Sequence, residues 1–175
     1  MRLEVVRALS EWLANTTYGV AVQLGTLPVD TGDTAPLVTL VVDGTKDNAL
    51  AKGEQVARGT DVLVLVTPDG PTITETGHTK SEYAVGRTPI ALTVVHRGAG
   101  EAAKKVQDVE YVCRALVLSV KAYFEQNQTA RTRNEVTVLS TSQVQYGLTV
   151  DDGLGALAAV VFTVLAFDKR AQRLT

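Results

Sequence analysis

Residues Ala102–Gln126 read AAKKVQDVEYVCRALVLSVKAYFEQ and repeat apolar side chains at helical spacing. The gaps between successive apolar residues are 3, 4, 3, 4 and 4 along Val106, Val109, Cys113, Leu116, Val120 and Phe124. One face of an α-helix has this spacing, so the stretch predicts a single long amphipathic helix. At about 1.5 Å per residue the helix would span roughly 37 Å. It needs an apolar surface to pack against, and its neighbours in the chain can form one.

Strand-like segments lie on both sides of this helix. Apolar or alternating runs predict strands at Gly19–Leu24, Leu37–Val42, Asp61–Val66, Ile90–Val95, Gln143–Val150 and Ala156–Phe167, and Val136–Leu139 is a short strand or a lead-in. A second helix is predicted at Leu3–Ala14, because Val5, Leu9 and Trp12 share one face. The prediction is an α+β fold: a mainly antiparallel sheet with one long amphipathic helix packed on it and a shorter N-terminal helix.

The C-terminal apolar run is too short to be a membrane-spanning helix. Leu154–Phe167 is apolar for 14 residues, whereas a spanning helix needs about 20. Its many β-branched residues predict instead a strand buried on both faces. Asp151-Asp152-Gly153 is a turn signal just before it, so the last two strands are predicted to form a hairpin. No membrane contact is expected.

Two stretches show no periodic pattern of apolar residues. Gly44–Gly59 is polar, and Thr72–Thr88 is rich in threonine, glycine and charge. A loop of nearly 20 residues is unusual inside a compact domain. The second stretch is therefore either a β-hairpin of weakly apolar strands or an arm that orders on contact with a partner, and the arm is favoured. The length of 175 residues predicts one domain, 1–175, with a loop or arm at about 72–88.

Few residues are suited to catalysis or metal binding. His78 and His96 lie in different predicted loops and share no metal-ligand spacing with Cys113. His96 is interpreted as a structural or surface residue, and Cys113 as a buried structural thiol on the helix face. Gly98-Ala99-Gly100 lacks the last glycine of a dinucleotide-binding turn and the Lys-Ser/Thr ending of a P-loop. The sequence therefore predicts no enzymatic activity, no cofactor and no metal.

Charge is distributed unevenly, although the formal net charge is only −2. Asp30–Glu82 holds nine acids and four bases, and Arg87–Arg133 holds eight bases and four acids. The asymmetry indicates either an ordinary solvated surface or opposed surfaces that meet another copy or a partner. Under the second interpretation the candidate interface residues are Arg87, Arg97, Arg131, Arg133, Lys169 and Arg170.

The order of elements is helix, strands, long loops, strand, long helix and a C-terminal strand hairpin. This order resembles the tail terminator, or tail completion, proteins of long-tailed bacteriophages and related contractile injection systems. The resemblance extends over nearly the whole chain. It is carried by the helix Leu3–Leu13 leading into a strand, by TAPLVTL at Thr34–Leu40, and by LTVDDGLG at Leu148–Gly155 leading into Ala156–Phe167.

The resemblance implies a structural virion protein that forms a ring, commonly of six copies, on the last ring of the tail tube. Such a ring ends tube polymerisation and joins the tail to the head-side connector. The implied partners are other copies of the chain, the major tail-tube protein and the head-side connector protein. DNA would pass through the ring without sequence-specific recognition. The chain would be made in the host cytoplasm and reside at the neck of the virion, with no cofactor and no membrane contact.

Two alternatives remain at this point. A head–tail connector or stopper protein of the same particle would share the size and the ring assembly. Outside that class, the chain could be a small-ligand enzyme or binding module whose site has no recognisable motif. A stable monomer with a deep pocket would favour the enzyme or binding module. A gene next to a major tail-tube gene, or the position of the chain in electron micrographs, would separate a terminator from a connector.

Overall fold

The computed structural model describes residues 2–29, 38–45, 62–70, 73–75, 84–96, 101–126, 131–133, 136–141, 145–151 and 155–168. The helices of these ranges are α1 (Arg2–Leu13), α2 (Val20–Thr26) and α3 (Ala102–Gln126). The strands are β1 (Val38–Asp43), β2 (Val62–Pro68), β3 (Ile73–Glu75), β4 (Ala84–His96), β5 (Arg131–Arg133), β6 (Val136–Thr141), β7 (Gln145–Asp151) and β8 (Gly155–Asp168).

The long helix α3 begins and ends where the apolar period predicted. Four residues of its predicted face, Val109, Cys113, Leu116 and Val120, are fully buried, and Val106 is partly buried. The side chain of Phe124 lies outside the described part of the structure. The helix packs chiefly on β8 and on α2, so the prediction that its apolar face covers a sheet is confirmed.

The strand predicted at Gly19–Leu24 is wrong, because this segment is the helix α2. Val20 and Leu24 are four residues apart, and both are buried on one side of the helix. The side chain of Asn15 accepts hydrogen bonds from the backbone N–H groups of Thr17 and Tyr18, at 2.7 and 3.2 Å. These bonds turn the chain between α1 and α2. Valines at alternate positions fit a strand as well as a short helix, so only the packing against α3 selects the helix.

One sheet contains all eight described strands, in the order β1-β2-β4-β8-β6-β5, with β3 beside β4 and β7 beside β8. The pairing of β1 with β2 is parallel, and the other described pairings are antiparallel. The fold is therefore α+β with a mainly antiparallel sheet, as predicted. Both C-terminal strands form the predicted pair, with Asp151 opposite Gly155.

Two long strands divide the sheet into halves. β4 and β8 pair continuously from Ala84–Asp168 to His96–Ala156. At one end their outer neighbours are β2 and β7, and at the other end they are β3 and β6. Pro89 lies where the neighbour of β4 changes from β3 to β2. Proline has no N–H to donate, so a gap in the ladder tolerates it.

We call the second half of the sheet the sheet extension. It consists of β3, β5 and β6 together with residues 84–88 of β4 and 164–168 of β8. The stretch predicted as a loop or arm at about 72–88 thus contains two paired strand segments, Ile73–Glu75 and Ala84–Thr88, which correspond to the hairpin alternative. Residues 76–83 lie outside the described residues. Residues 131–133, where no strand was predicted, form the short strand β5.

The described helices cover one face of the sheet. Alternate residues on this face form the buried core with α1, α2 and α3; on the strands they are Val62, Val64, Val66, Ile90, Leu92, Val94, Ala158, Val160, Phe162 and Val164. β8 was expected to be buried on both faces, and this is wrong. Leu157 is exposed, and Ala159, Val161 and Thr163 are only partly buried. A continuous apolar run cannot distinguish one buried face from two, because apolar side chains also make up much of a protein's exposed surface.

Trp12 joins the first helix to the last. It is 2% exposed, and its indole Nε1–H donates to the backbone oxygen of Ser119 at 2.8 Å. Its ring stacks on Tyr18 at a centroid distance of 5.3 Å and meets Tyr123 edge-on at 4.9 Å. Trp12, which was predicted on the apolar face of the first helix, is therefore part of the buried core.

None of the described helices combines the length and the apolar content that crossing a bilayer would require.

Candidate functional site

Arg87 lies on the sheet extension. It is an exposed residue of β4, in register with Ile73 of β3 on one side and Leu165 of β8 on the other. The neighbouring Gly86 and Thr88 are buried, because successive residues of a strand point to opposite faces. Arg87 therefore lies on the face of β4 opposite to the helices.

Arg131 and Arg133 form most of β5, the last strand of the sheet order. Arg131 is in register with Val138 of β6, and Arg133 with Val136. Val138 in turn pairs with Ala166 of β8. The preceding residue of β8, Leu165, pairs with Arg87. Three of the six predicted interface residues therefore belong to the sheet extension, although 44 residues separate Arg87 from Arg131 in the chain.

The other three predicted interface residues cannot be compared in this way. Arg97 follows the last residue of β4, and Lys169 and Arg170 follow the last residue of β8. All three lie outside the described residues. They stay predictions.

A buried polar cluster joins β4 to α3. The Nε2 atom of His96 lies 3.2 Å from Oδ2 of Asp108, and both side chains are close to fully buried. The Nζ atom of Lys104, one helical turn before Asp108, lies 3.0 Å from Oδ1. His96 is the last residue of β4, so the cluster fixes the end of a central strand to the first turns of the helix. The interpretation of His96 as a structural residue agrees with this position.

A second buried carboxylate lies at the end of β1. Asp43 is 6% exposed, and its Oδ1 accepts hydrogen bonds from the backbone N–H and the hydroxyl of Thr45, at 3.0 and 2.6 Å. The Nε atom of Arg7 on α1 lies 3.9 Å from Oδ2. Gly44 follows at a close approach, because a Cβ there would lie 2.5 Å from the side chain of Thr67. This group ties α1 to the edge of the sheet.

The sequence contained only part of these two clusters. Lys104 and Asp108 are four residues apart on a predicted helix, a spacing that indicates an ion pair. The partnership of Asp108 with His96 depends on how α3 crosses the sheet, and the partnership of Asp43 with Arg7 depends on how α1 does. Neither follows from spacing along the chain.

The described titratable groups offer limited chemistry. A histidine oriented by a carboxylate is an arrangement that general bases use, but here it is enclosed between a strand and a helix. Burial, reinforced by the nearby carboxylate of Glu110, raises the pKa of the Cys113 thiol from 9.0 to about 12. A thiol of this kind is a poor nucleophile at neutral pH. Within the described ranges, no group of three or more histidine, cysteine, aspartate or glutamate residues could hold a metal ion.

Comparison with models of known protein families and with curated protein sequences gave no match.

Proposed function

We propose that this chain is a structural subunit that forms a ring at the end of a phage-type tail tube. The ring ends polymerisation of the tube and joins it to the head-side connector. One observation carries the proposal: the order of elements along the chain, from the N-terminal helix α1 through the sheet to the long helix α3 and the closing pair β7 and β8. This is the layout for which the chain resembles tail terminator proteins, except that α1 is followed by the short helix α2 and not directly by a strand.

The charge of the sheet extension supports assembly through that region. Arg87 is exposed there, and β5 contributes Arg131 and Arg133 as backbone neighbours of the same half of the sheet. Cations concentrated in one half of the sheet favour a contact with an acidic surface of another subunit. The acidic segment Asp30–Glu82 is the counterpart within the same chain, so a head-to-tail ring can use both.

The test is a particle whose gene for this chain has been deleted. Loss of a subunit that ends tube growth should give overlong tubes and unjoined heads in electron micrographs. Resupply of the intact chain should restore tails of uniform length. Tails of normal length that stall only at head joining would assign the chain to the connector or stopper class. Normal infectious particles would contradict both functions.

A further inference from the structure

The sheet has an apolar patch on the face that the described helices leave uncovered. We call the face under α1, α2 and α3 the core face and the opposite one the back face. On the back face, Val42 of β1, Leu63 and Leu65 of β2 and Val95 of β4 pack together. They alternate along their strands with residues of the core face. An apolar patch of this kind needs a cover of its own.

Two leucines in one row of the back face show where that cover lies. Leu63 of β2 pairs with Val95, and Val95 pairs with Leu157 of β8. Leu63 is 8% exposed, whereas Leu157 is 40% exposed. Yet Leu63 is nearer the end of the described sheet, and Leu157 has strands on both sides. Since the described helices pack on the core face, another segment covers the back face at β1 and β2.

The connection between β1 and β2 has to cross one face of the sheet. These strands are parallel, with Val38 opposite Val62 and Asp43 opposite Val66. The end of β1 therefore lies roughly 15 Å along the strands from the start of β2. Parallel neighbours need a crossover of a dozen or more residues, and 18 residues separate Asp43 from Val62. The helix α1 already packs against both strands on the core face, which leaves the back face.

The handedness of the crossover selects the same face. The helix α3 leads from β4 towards β6, and these strands are parallel, because each is antiparallel to β8. The step from β1 to β2 has the same direction across the sheet, but β1 runs opposite to β4. Crossovers are right-handed in about 98% of cases. With α3 on the core face, a right-handed connection from β1 to β2 lies on the back face.

We infer that residues 46–61, which lie outside the described residues, cross the back face and cover the patch around Val42 and Leu63. Leu50 and Val56 are the large apolar residues of this segment, and they supply the side chains for the contact. The segment also holds three basic and three acidic residues. A partner that approaches this side of the subunit therefore meets a charged segment and not a bare apolar sheet. The inference does not depend on the proposed ring function.

A nitroxide spin label on the back face tests the placement without any change in the segment. Leu157→Cys carries the label at an exposed position, two strands from Leu63 and therefore about 10 Å away. The label should broaden the amide resonances of residues 46–61. The matched control is a label on Ala21→Cys, an exposed position of α2, which should broaden them far less. The native Cys113 should stay unlabelled, because burial raises its pKa to about 12.

Each other result overturns the inference. Stronger broadening from position 21 than from position 157 would put the segment on the core face. A mixture of isotope-labelled unchanged chain with spin-labelled chain that lacks the isotope reports contacts between copies. Broadening of back-face resonances in that mixture would assign the cover to a second copy. Absence of broadening of residues 46–61 in every sample would leave the cover to a different segment.

Thiol accessibility supplies a second test. The thiol of Leu63→Cys should react slowly in the folded chain. Adding Leu50→Asp with Val56→Asp should raise its labelling rate about tenfold or more, because the apolar contact that holds the segment is lost. Ala102→Asp with Ala103→Asp, two exposed positions of α3, adds the same charge and should leave the rate unchanged. Slow labelling of Cys113 should show that each variant is folded, and an unchanged rate in a folded Leu50→Asp, Val56→Asp variant would contradict the inference. If that variant does not fold, the spin-label result decides.

Discussion

Cys113 shows how burial decides the chemistry of a single residue. It is fully buried on α3, and desolvation together with Glu110 raises the pKa of the thiol to about 12. Only the thiolate reacts with disulfide reagents. We expect labelling of the folded protein at pH 8 to be slower by about a thousandfold than labelling in urea, since the thiolate fraction falls tenfold for each unit of pKa. Rapid labelling of the folded protein would show that the thiol is accessible.

The same shift gives a pH dependence with a definite sign. Between pH 9 and 12 the unfolded thiol loses its proton and the folded thiol keeps it. The free energy of unfolding contributed by this group therefore falls as the pH rises through this range. The substitution Cys113→Ala removes this contribution of the thiol. The free energy of unfolding of the variant should therefore decline less steeply above pH 9 than that of the unchanged chain. Parallel declines in urea melts would contradict the shift.

Asp108 is the residue on which the β4–α3 cluster depends. Asp108→Ala should lower the free energy of unfolding by about 1–3 kcal/mol, because it leaves the buried His96 without its carboxylate. A double-mutant cycle with His96→Ala should give a coupling of about 0.5–3 kcal/mol. The cycle with Lys104, whose side chain is one-third exposed, should give about 0–1 kcal/mol. Equal coupling energies in the two cycles would show that the buried His96–Asp108 contact stabilises the fold no more than the Lys104–Asp108 ion pair does.

At the scale of elements, α3 was predicted correctly and α2 was not. The helix α3 repeats its apolar spacing through several turns, which no strand pattern can match. The helix α2 has 7 residues, and helices this short owe their stability to packing rather than to propensity. Gly19 allows the turn before it, because a Cβ at that position would lie 2.2 Å from the backbone oxygen of Asn15.

The burial of α3 predicts a large effect from one charge on its inner face. Leu116→Glu should cost at least about 4 kcal/mol and unfold the domain, because a carboxylate would be buried among apolar side chains. The matched control is Lys121→Glu, which places a carboxylate on an exposed position of the same helix. The control should melt within about 0.5 kcal/mol of the unchanged chain. A folded Leu116→Glu variant would show that this face is not core.

At the scale of the whole molecule, the two halves of the sheet differ in burial and in charge. The half that carries β1, β2 and β7 lies under the helices and provides most of the buried core. The sheet extension carries Arg87 and the charged end strands β3 and β5. Because β4 and β8 run through both halves, the sheet extension is continuous with the core.

Ring formation should therefore depend on salt. Raising NaCl from about 0.1 M to about 1 M shortens the Debye length from about 10 Å to about 3 Å, so exposed ion pairs between subunits weaken. Mass photometry should show rings giving way to monomers across this range, while circular dichroism stays constant. The variant Arg131→Gln with Arg133→Gln, which removes the two charges, should lose most of this dependence. Rings that persist unchanged at high salt would indicate an apolar contact instead.

The sequence alone predicted the α+β class, α1, α3 and the presence of the longer strands, because each is encoded in a local period of apolar residues. It could not predict that α2 is a helix, that β8 is buried on one face, or that Asp108 contacts His96. Those features depend on which surfaces meet, and the crossing of α3 over the sheet determines them. The grouping of Arg87 with Arg131 and Arg133 has the same origin, since only strand pairing brings together residues so distant in the chain.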